Sequence, residues 1–209
     1  MTTTTKRTGQ GAHIRKTKRT NTPKPFRQGD LDALCGVYAL INAVRQGTQT
    51  LAPPKRIDWE GLFAAILQDI AKKSTLANSA IWGLSPSQLR GRVRVAHRWL
   101  KAEYGLAIEL SQPWQLHRYM DIADECRKLA QLISQPGHVA IIGFITRYHS
   151  HWSVIRRINH RSIILCDSGR MSRLTIARMC FNSEEKLEEG KKVVMSSDDL
   201  LVLKICMAD

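Results

Sequence analysis

Residues 35–46 read CGVYALINAVRQ. Val37, Leu40, Ile41 and Val44 recur at spacings of three and four, which places them on one face of a helix with a side to bury. Asp30 and Asp32 stand just before this run as N-cap candidates. Cys35 therefore falls in the first helical turn, where orphan backbone N–H groups and the positive end of the dipole favour a thiolate. Gly36 beside it leaves room for a substrate backbone, and the Cys35 N–H is placed to donate to a developing oxyanion.

Working outward, the first half of the chain carries further helical patterns. Residues 58–73 offer Asp58 as a cap and Leu62, Phe63, Ile66, Leu67 and Ile70 as an apolar stripe. Another helix starts at Ser85, with Pro86 suited to its first position and Gln88 completing a capping box, and ends at Gly105. A short β-like piece, GLAIEL, precedes a fourth helix over about 114–133. Beyond Pro136-Gly137 the pattern changes to short β-branched runs between turn residues: HVAIIGFI, HWSVIRRI, RSIILCD, RLTIAR and LLVLKI. Asn159-His160-Arg161 reads as a hairpin connection and Asp167-Ser168-Gly169 as the next turn. The expectation is an α+β fold: a helical lobe over about 28–135 and an antiparallel β lobe over about 136–209, preceded by a basic arm at 1–27.

The chain has 209 residues, 43% hydrophobic and 24% charged, enough for one substantial core. No apolar run approaches the length of a membrane span. Lys and Arg number 32 against 18 Asp and Glu, for a net charge of +14. Residues 1–27 hold eight of those cations and no acid, too few bulky apolar side chains to fold, and the composition of a disordered arm. They lack the apolar stretch of a secretory signal, although a transit peptide shares their Thr-rich, basic character. Five cysteines with no CxxC pair argue for reduced thiols and against a disulfide framework or zinc finger.

In the β half, His151 and Trp152 open one strand and Asp167 ends the next. A hairpin turning near Asn159 and His160 sets His151 directly opposite Asp167. Asp167 then fixes the imidazole tautomer and leaves the other nitrogen to take the Cys35 proton. Without the cysteine, such a pair would read as a surface ion pair. Other groups carry less. His149 and His151 lie two apart and share one face of a strand, which with a thiol could make a metal site, but no further ligands stand at metal-site spacing, so no metal and no cofactor are expected. Arg90, Arg92, Arg94 and Arg98 form the basic side of one helix, a pattern that usually marks a solvated face, with nucleic-acid contact as the alternative. Cys166 faces away from Asp167 and reads as core.

Together, Gln28-Gly29-Asp30-Leu31-Asp32-Ala33-Leu34-Cys35-Gly36-Val37-Tyr38-Ala39-Leu40, His151-Trp152-Ser153-Val154 and Leu165-Cys166-Asp167-Ser168-Gly169 resemble the papain-like cysteine peptidase superfamily. The similarity is greatest to the bacterial bacteriocin-leader (double-glycine) and toxin or effector peptidases. It implies a papain-like fold with Cys35 as nucleophile, His151 as general base and then acid, Asp167 as orienting carboxylate and Gln28 as side-chain oxyanion donor. Gln28 lies seven residues before Cys35 where the family usually has six. The resemblance also implies a protein or peptide substrate, small residues before the cut, and a cytoplasmic enzyme or one delivered into a target cell, restrained by a cognate inhibitor or immunity protein. Trp152 and the Trp82-Gly83 loop are candidate cleft walls, with Gly36 beside the nucleophile. A transglutaminase or glutamine deamidase would use the same triad. From a different class, a non-enzymatic nucleic-acid-binding protein would use the basic arm. A monomer is expected.

Overall fold

The apolar stripe of residues 37–44 does form a helix, and the rest of the molecule is arranged around it. The computed structural model describes residues 24–29, 32–53, 55–73, 76–111, 121–147, 149–181 and 193–208. Five α-helices and eight strands occur among them, an α+β fold. α1 spans Cys35–Gly47, α2 Trp59–Lys73, α3 Leu76–Trp82, α4 Pro86–Tyr104 and α5 Ile122–Ile133. The strands are β1 Leu106–Ser111, β2 His138–Ile145, β3 Ser150–Ile158, β4 Ser162–Cys166, β5 Arg173–Thr175, β6 Met179–Phe181, β7 Val193–Met195 and β8 Leu200–Met207.

Local chemistry explains most boundaries. At the start of α4, Ser85 and Gln88 exchange side-chain and backbone hydrogen bonds, and Gly105 ends the helix in the left-handed conformation at φ 61°. Asp58 caps α2 through Gly61 N–H, and Asp121 caps α5 through Ala123 N–H. The fourth helix is thus shorter than expected, since residues 112–120 lie outside the described residues. α3 carries no clear signal in the sequence, and Trp82 closes that helix instead of standing in a loop. The cap expected for α1 is not made. Asp32 accepts from Leu34 N–H at 3.0 Å and Gly29 N–H at 3.1 Å, which stiffens the loop before the helix without capping it. Asp30 lies outside the described residues.

The strands form one sheet in the order β1-β8-β2-β3-β4-β5, with β7 joined to β2 and β6 to β7. Pairing is antiparallel throughout except for β6 and β7, which run parallel. β1, from the helical half, pairs along its whole length with β8, from the end of the chain. Both faces are covered. α1, α2 and α4 pack with Val139, Ile141, Val154, Leu201 and Leu203 on one side. α5 supplies Cys126 and Leu129 to a second cluster with Ile142, Phe144, Ile155 and Leu165 on the other. Val37, Leu40 and Val44 are fully buried, each contributing about 1.5–3 kcal/mol by removal from water. No helix among the described residues is long and apolar enough to cross a membrane.

The expected arm over 1–27 lies largely outside the described residues, but its end is held: Asn42 bonds both the N–H and the carbonyl of Phe26. That pairing also satisfies the buried Asn42 amide. The solvated-face reading of α4 holds for Arg94 and Arg98, which are exposed, and fails for Arg92. Arg92 is buried against Asp69 of α2 at 2.5 Å, and Arg90 reaches Asp198 at 3.6 Å.

Helices and sheet are keyed together by Trp152 on β3. Its indole N–H donates to the Leu84 carbonyl at 2.8 Å, and its ring lies over Gly143 on β2. A Cβ at position 143 would fall 2.8–3.0 Å from three ring atoms. Because the ring is buried and bonded it cannot step aside, so Gly143→Ala should destabilise the fold by about 1–3 kcal/mol. A lowered urea midpoint with unchanged slope will register this; a midpoint equal to wild type would mean the ring has room.

Candidate active site

Cys35 opens α1 as the spacing implies, and it is 7% exposed. Among the described residues the Cys35 and Gly36 N–H groups meet no acceptor, whereas those of Val37 and Tyr38 bond to the Leu34 carbonyl. Two orphan donors therefore sit beside the sulfur at the positive end of the helix. Gly36 serves a different purpose from the one expected. A Cβ there would lie 3.3 Å from Trp152 and 3.4 Å from Leu84, so the room it leaves is filled by those side chains.

His151 lies one residue into β3, and its Nε2 donates to Asp167 Oδ1 at 2.6 Å. The contact forms in a different register from the one expected. Val154 pairs with Cys166 and Ile155 with Leu165, which sets Asp167, just past the end of β4, nearer to Ser153 than to His151. The hairpin closes later than expected, at Asn159–Ser162 with Ile158 opposite Ile163; a bulge between Ile155 and Arg157 returns the register by one residue, and the imidazole reaches Asp167 diagonally along one face. Asp167 is held from its other side by Met171 N–H, which donates to Oδ2 at 2.8 Å. Gly169 lets the turn fold over the pair: a Cβ there would stand 3.2 Å from the imidazole and 3.3 Å from the carboxylate.

With Nε2 committed to Asp167, Nδ1 is the nitrogen left to face the Cys35 thiol, which lies near enough to act electrostatically on the imidazole. Burial disfavours the charged imidazole. Hydrogen bonds to Asp167 and Cys35, and their charges, outweigh it and raise its pKa to about 9. Burial likewise pushes the Asp167 carboxyl up, but the His151 hydrogen bond and charge, with Ser153 and the Met171 N–H, hold it below its ordinary value.

Gln28 reaches the same region. Its backbone N–H donates to the Ser168 carbonyl at 3.4 Å, and its side-chain amide donates to the Asp32 carbonyl. One of the two amide N–H groups is thereby occupied and the other remains. Two clefts meet at His151. One, about 590 Å³, runs between Trp82, Gly83, Leu84, Phe144 and Trp152; the other, about 530 Å³, lies between Gln28, Asp32, His149 and Arg170. Trp82 is 83% exposed on the rim of the first, so it is not core. Trp152 is 6% exposed and serves as both core and cleft wall. Gly83, at φ 78°, holds a left-handed turn against the Ala33 carbonyl that only glycine adopts without strain.

His149 stands edge-on to His151, ring centroids 5.9 Å apart, and precedes β3 instead of sharing a strand face with it. No group of three or more metal-ligating side chains occurs among the described residues. Sequence reasoning did not single out Gly143, Leu84 or Arg170. Leu84 acts through its carbonyl, and Arg170 sits at φ 74°, neither of which leaves a side-chain signature.

The raised His151 pKa makes stability depend on pH. Its contribution is present in full below about 6.5 and is lost as pH rises through about 9, an effect of about 3 kcal/mol. Urea midpoints measured from pH 6 to 10 should fall in wild type and stay nearly flat in His151→Ala. Equal pH profiles in both would show that the imidazole is not held in the charged form.

No protein-family model matches this chain, and no curated protein matches it.

Proposed function

We propose that the protein is a papain-like cysteine peptidase that hydrolyses a peptide bond in a protein substrate through Cys35, His151 and Asp167. One observation carries this reading: a buried His151–Asp167 pair at 2.6 Å is coupled to a cysteine at the start of a buried helix. An ion pair serving stability alone has no need of a thiol at its free nitrogen. The order of residues along the chain, and a helix bearing the cysteine with a sheet bearing the histidine, agree with that superfamily.

The chemistry follows from the positions. Cys35 Sγ attacks the substrate carbonyl carbon while His151 Nδ1 holds the thiol proton. The oxyanion forms beside the Cys35 N–H, with the remaining Gln28 amide N–H as a second donor. His151 gives its proton to the departing amine as the C–N bond breaks, leaving a thioester on Cys35. Water, deprotonated by His151, then attacks the thioester, releasing the carboxylic acid and returning the proton to sulfur. Asp167 keeps Nε2 protonated throughout and stabilises the imidazolium. Clefts on both sides of His151 suit an extended polypeptide that crosses the nucleophile, with exposed Trp82 on the rim of one of them.

Brief treatment with limiting iodoacetamide at about pH 6, read by intact mass, tests the pairing. One adduct should appear rapidly in wild type, be lost in Cys35→Ala and form at least about tenfold more slowly in His151→Ala. Labelling of new amino termini in a lysate should then show cuts made by wild type and not by Cys35→Ala. Slow, equal reaction of all five thiols would overturn the dyad, and rapid alkylation with amine incorporation in place of new termini would replace peptidase by transglutaminase.

A further inference from the structure

The charges of the chain are segregated along its sequence. Residues 126–183 contain nine Lys and Arg and a single acid, Asp167, which is buried in the site described above. Residues 33–57, which include all of α1, contain no acid. These two segments meet at the end of the sheet. Gln46, in the last turn of α1, donates to the Ile155 carbonyl of β3, which brings the adjacent Arg45 up to the bulge that carries Arg156. Arg45 and Arg156 both act electrostatically on the Cys166 thiol. Arg45 is braced over the Phe26 ring at 4.5 Å and donates to the Lys24 carbonyl at 3.0 Å.

The sheet extends this surface. Arg157 pairs with Ile164, and Ile164 pairs with Arg173, so the three form one cross-strand row. Cross-strand partners share a face, and Ile164 shares its face with Cys166 two residues on. Arg157 and Arg173 therefore stand two strands apart, about 10 Å, on the face that also carries Arg45 and Arg156. Arg156, Arg157 and Arg173 are all exposed, and none makes an ion pair with a carboxylate among the described residues. Whereas Arg92 and Arg90 on α4 are matched by Asp69 and Asp198, this concentration of like charge has no carboxylate partner among the described residues.

We infer that the surface formed by Lys24, Arg45, Arg156, Arg157 and Arg173 binds the phosphate backbone of a nucleic acid. Four of the five are arginines, whose forked donors match phosphate oxygens. The crevice beside Lys24, Gln46 and Cys166 has room for about one water, so no pocket is available there for the anchoring side chain of a protein partner. Recognition is of the backbone and not of sequence. The described chain begins on this surface at Lys24, and the sequence before it holds six cations and no acid in 23 residues. The inference does not depend on the peptidase reading.

Fluorescence anisotropy of the full chain with a labelled single-stranded DNA of about 20 nucleotides, across a salt series, is the test. Wild type should bind with a steep salt dependence. Arg157→Gln with Arg173→Gln should weaken binding at least about fivefold at 0.1 M salt and lower the slope of log K against log salt by about 1.4. Arg94→Gln with Arg98→Gln on α4 should change neither, and both pairs should leave Cys35 alkylation at the wild-type rate. If near-ultraviolet circular dichroism shows the first pair misfolded, Lys24→Gln with Arg156→Gln, both exposed, repeats the test. Absence of binding, binding unaffected by the sheet variants, or displacement of the DNA by polyglutamate at equal charge would overturn the inference, the last in favour of an acidic protein.

Discussion

The contact between Gly36 and Trp152 is the constraint from which the arrangement of the site follows. Gly36 lies in the buried first turn of α1, and Trp152 stands near the start of β3 with its indole N–H fixed to the Leu84 carbonyl. Their chain neighbours are Cys35 and His151. Because a glycine lets the indole approach the helix end to van der Waals distance, the residues next to each are brought near enough for the thiol to act on the imidazole. The same ring presses on Gly143 of β2, so helix, sheet and the loop before α4 converge on one aromatic side chain.

A titratable pair buried at such a junction carries a desolvation penalty that its own Coulomb attraction need not offset. Here additional hydrogen bonds supply the difference. Asp167 is bonded on both oxygens, by His151 and by Met171 N–H, and the imidazole meets Asp167 on one side and Cys35 on the other. The turn over the pair is closed by Gly169 and followed by Arg170 at positive φ, a backbone shape the surrounding bonds impose. Rigidity of this kind keeps the ring in one orientation, as general base chemistry requires.

Charge placement divides the molecule into two regimes. Acids on α2, on α5 and beside the last strand pair with nearby cations: Asp69 with Arg92 of α4, Glu125 with Lys128, Glu109 with Lys204. Among the described residues of β3 to β5 and the turns between them, the buried Asp167 is the only acid, and the exposed charges are cations. Folding has no need of that asymmetry, since exposed charges contribute little to stability either way.

Local chemistry written in consecutive residues was legible without the structure. The apolar face of α1, the capping box at Ser85, the glycine end at Gly105 and the alternating runs of the β half each depend on neighbours within four positions, where spacing alone determines which side chains meet. The grouping of Cys35, His151 and Asp167 was also readable as an expectation, because strand order and a single hairpin link the last two. Long-range geometry decided the rest. The late turn after β3 and the bulge within it set the true register, β8 entered between β1 and β2, α5 crossed to the opposite face, and Gly36 and Gly143 were claimed by one indole ring. A bulge and a ring contact depend on atoms far apart in the chain, and no periodicity in the sequence records them.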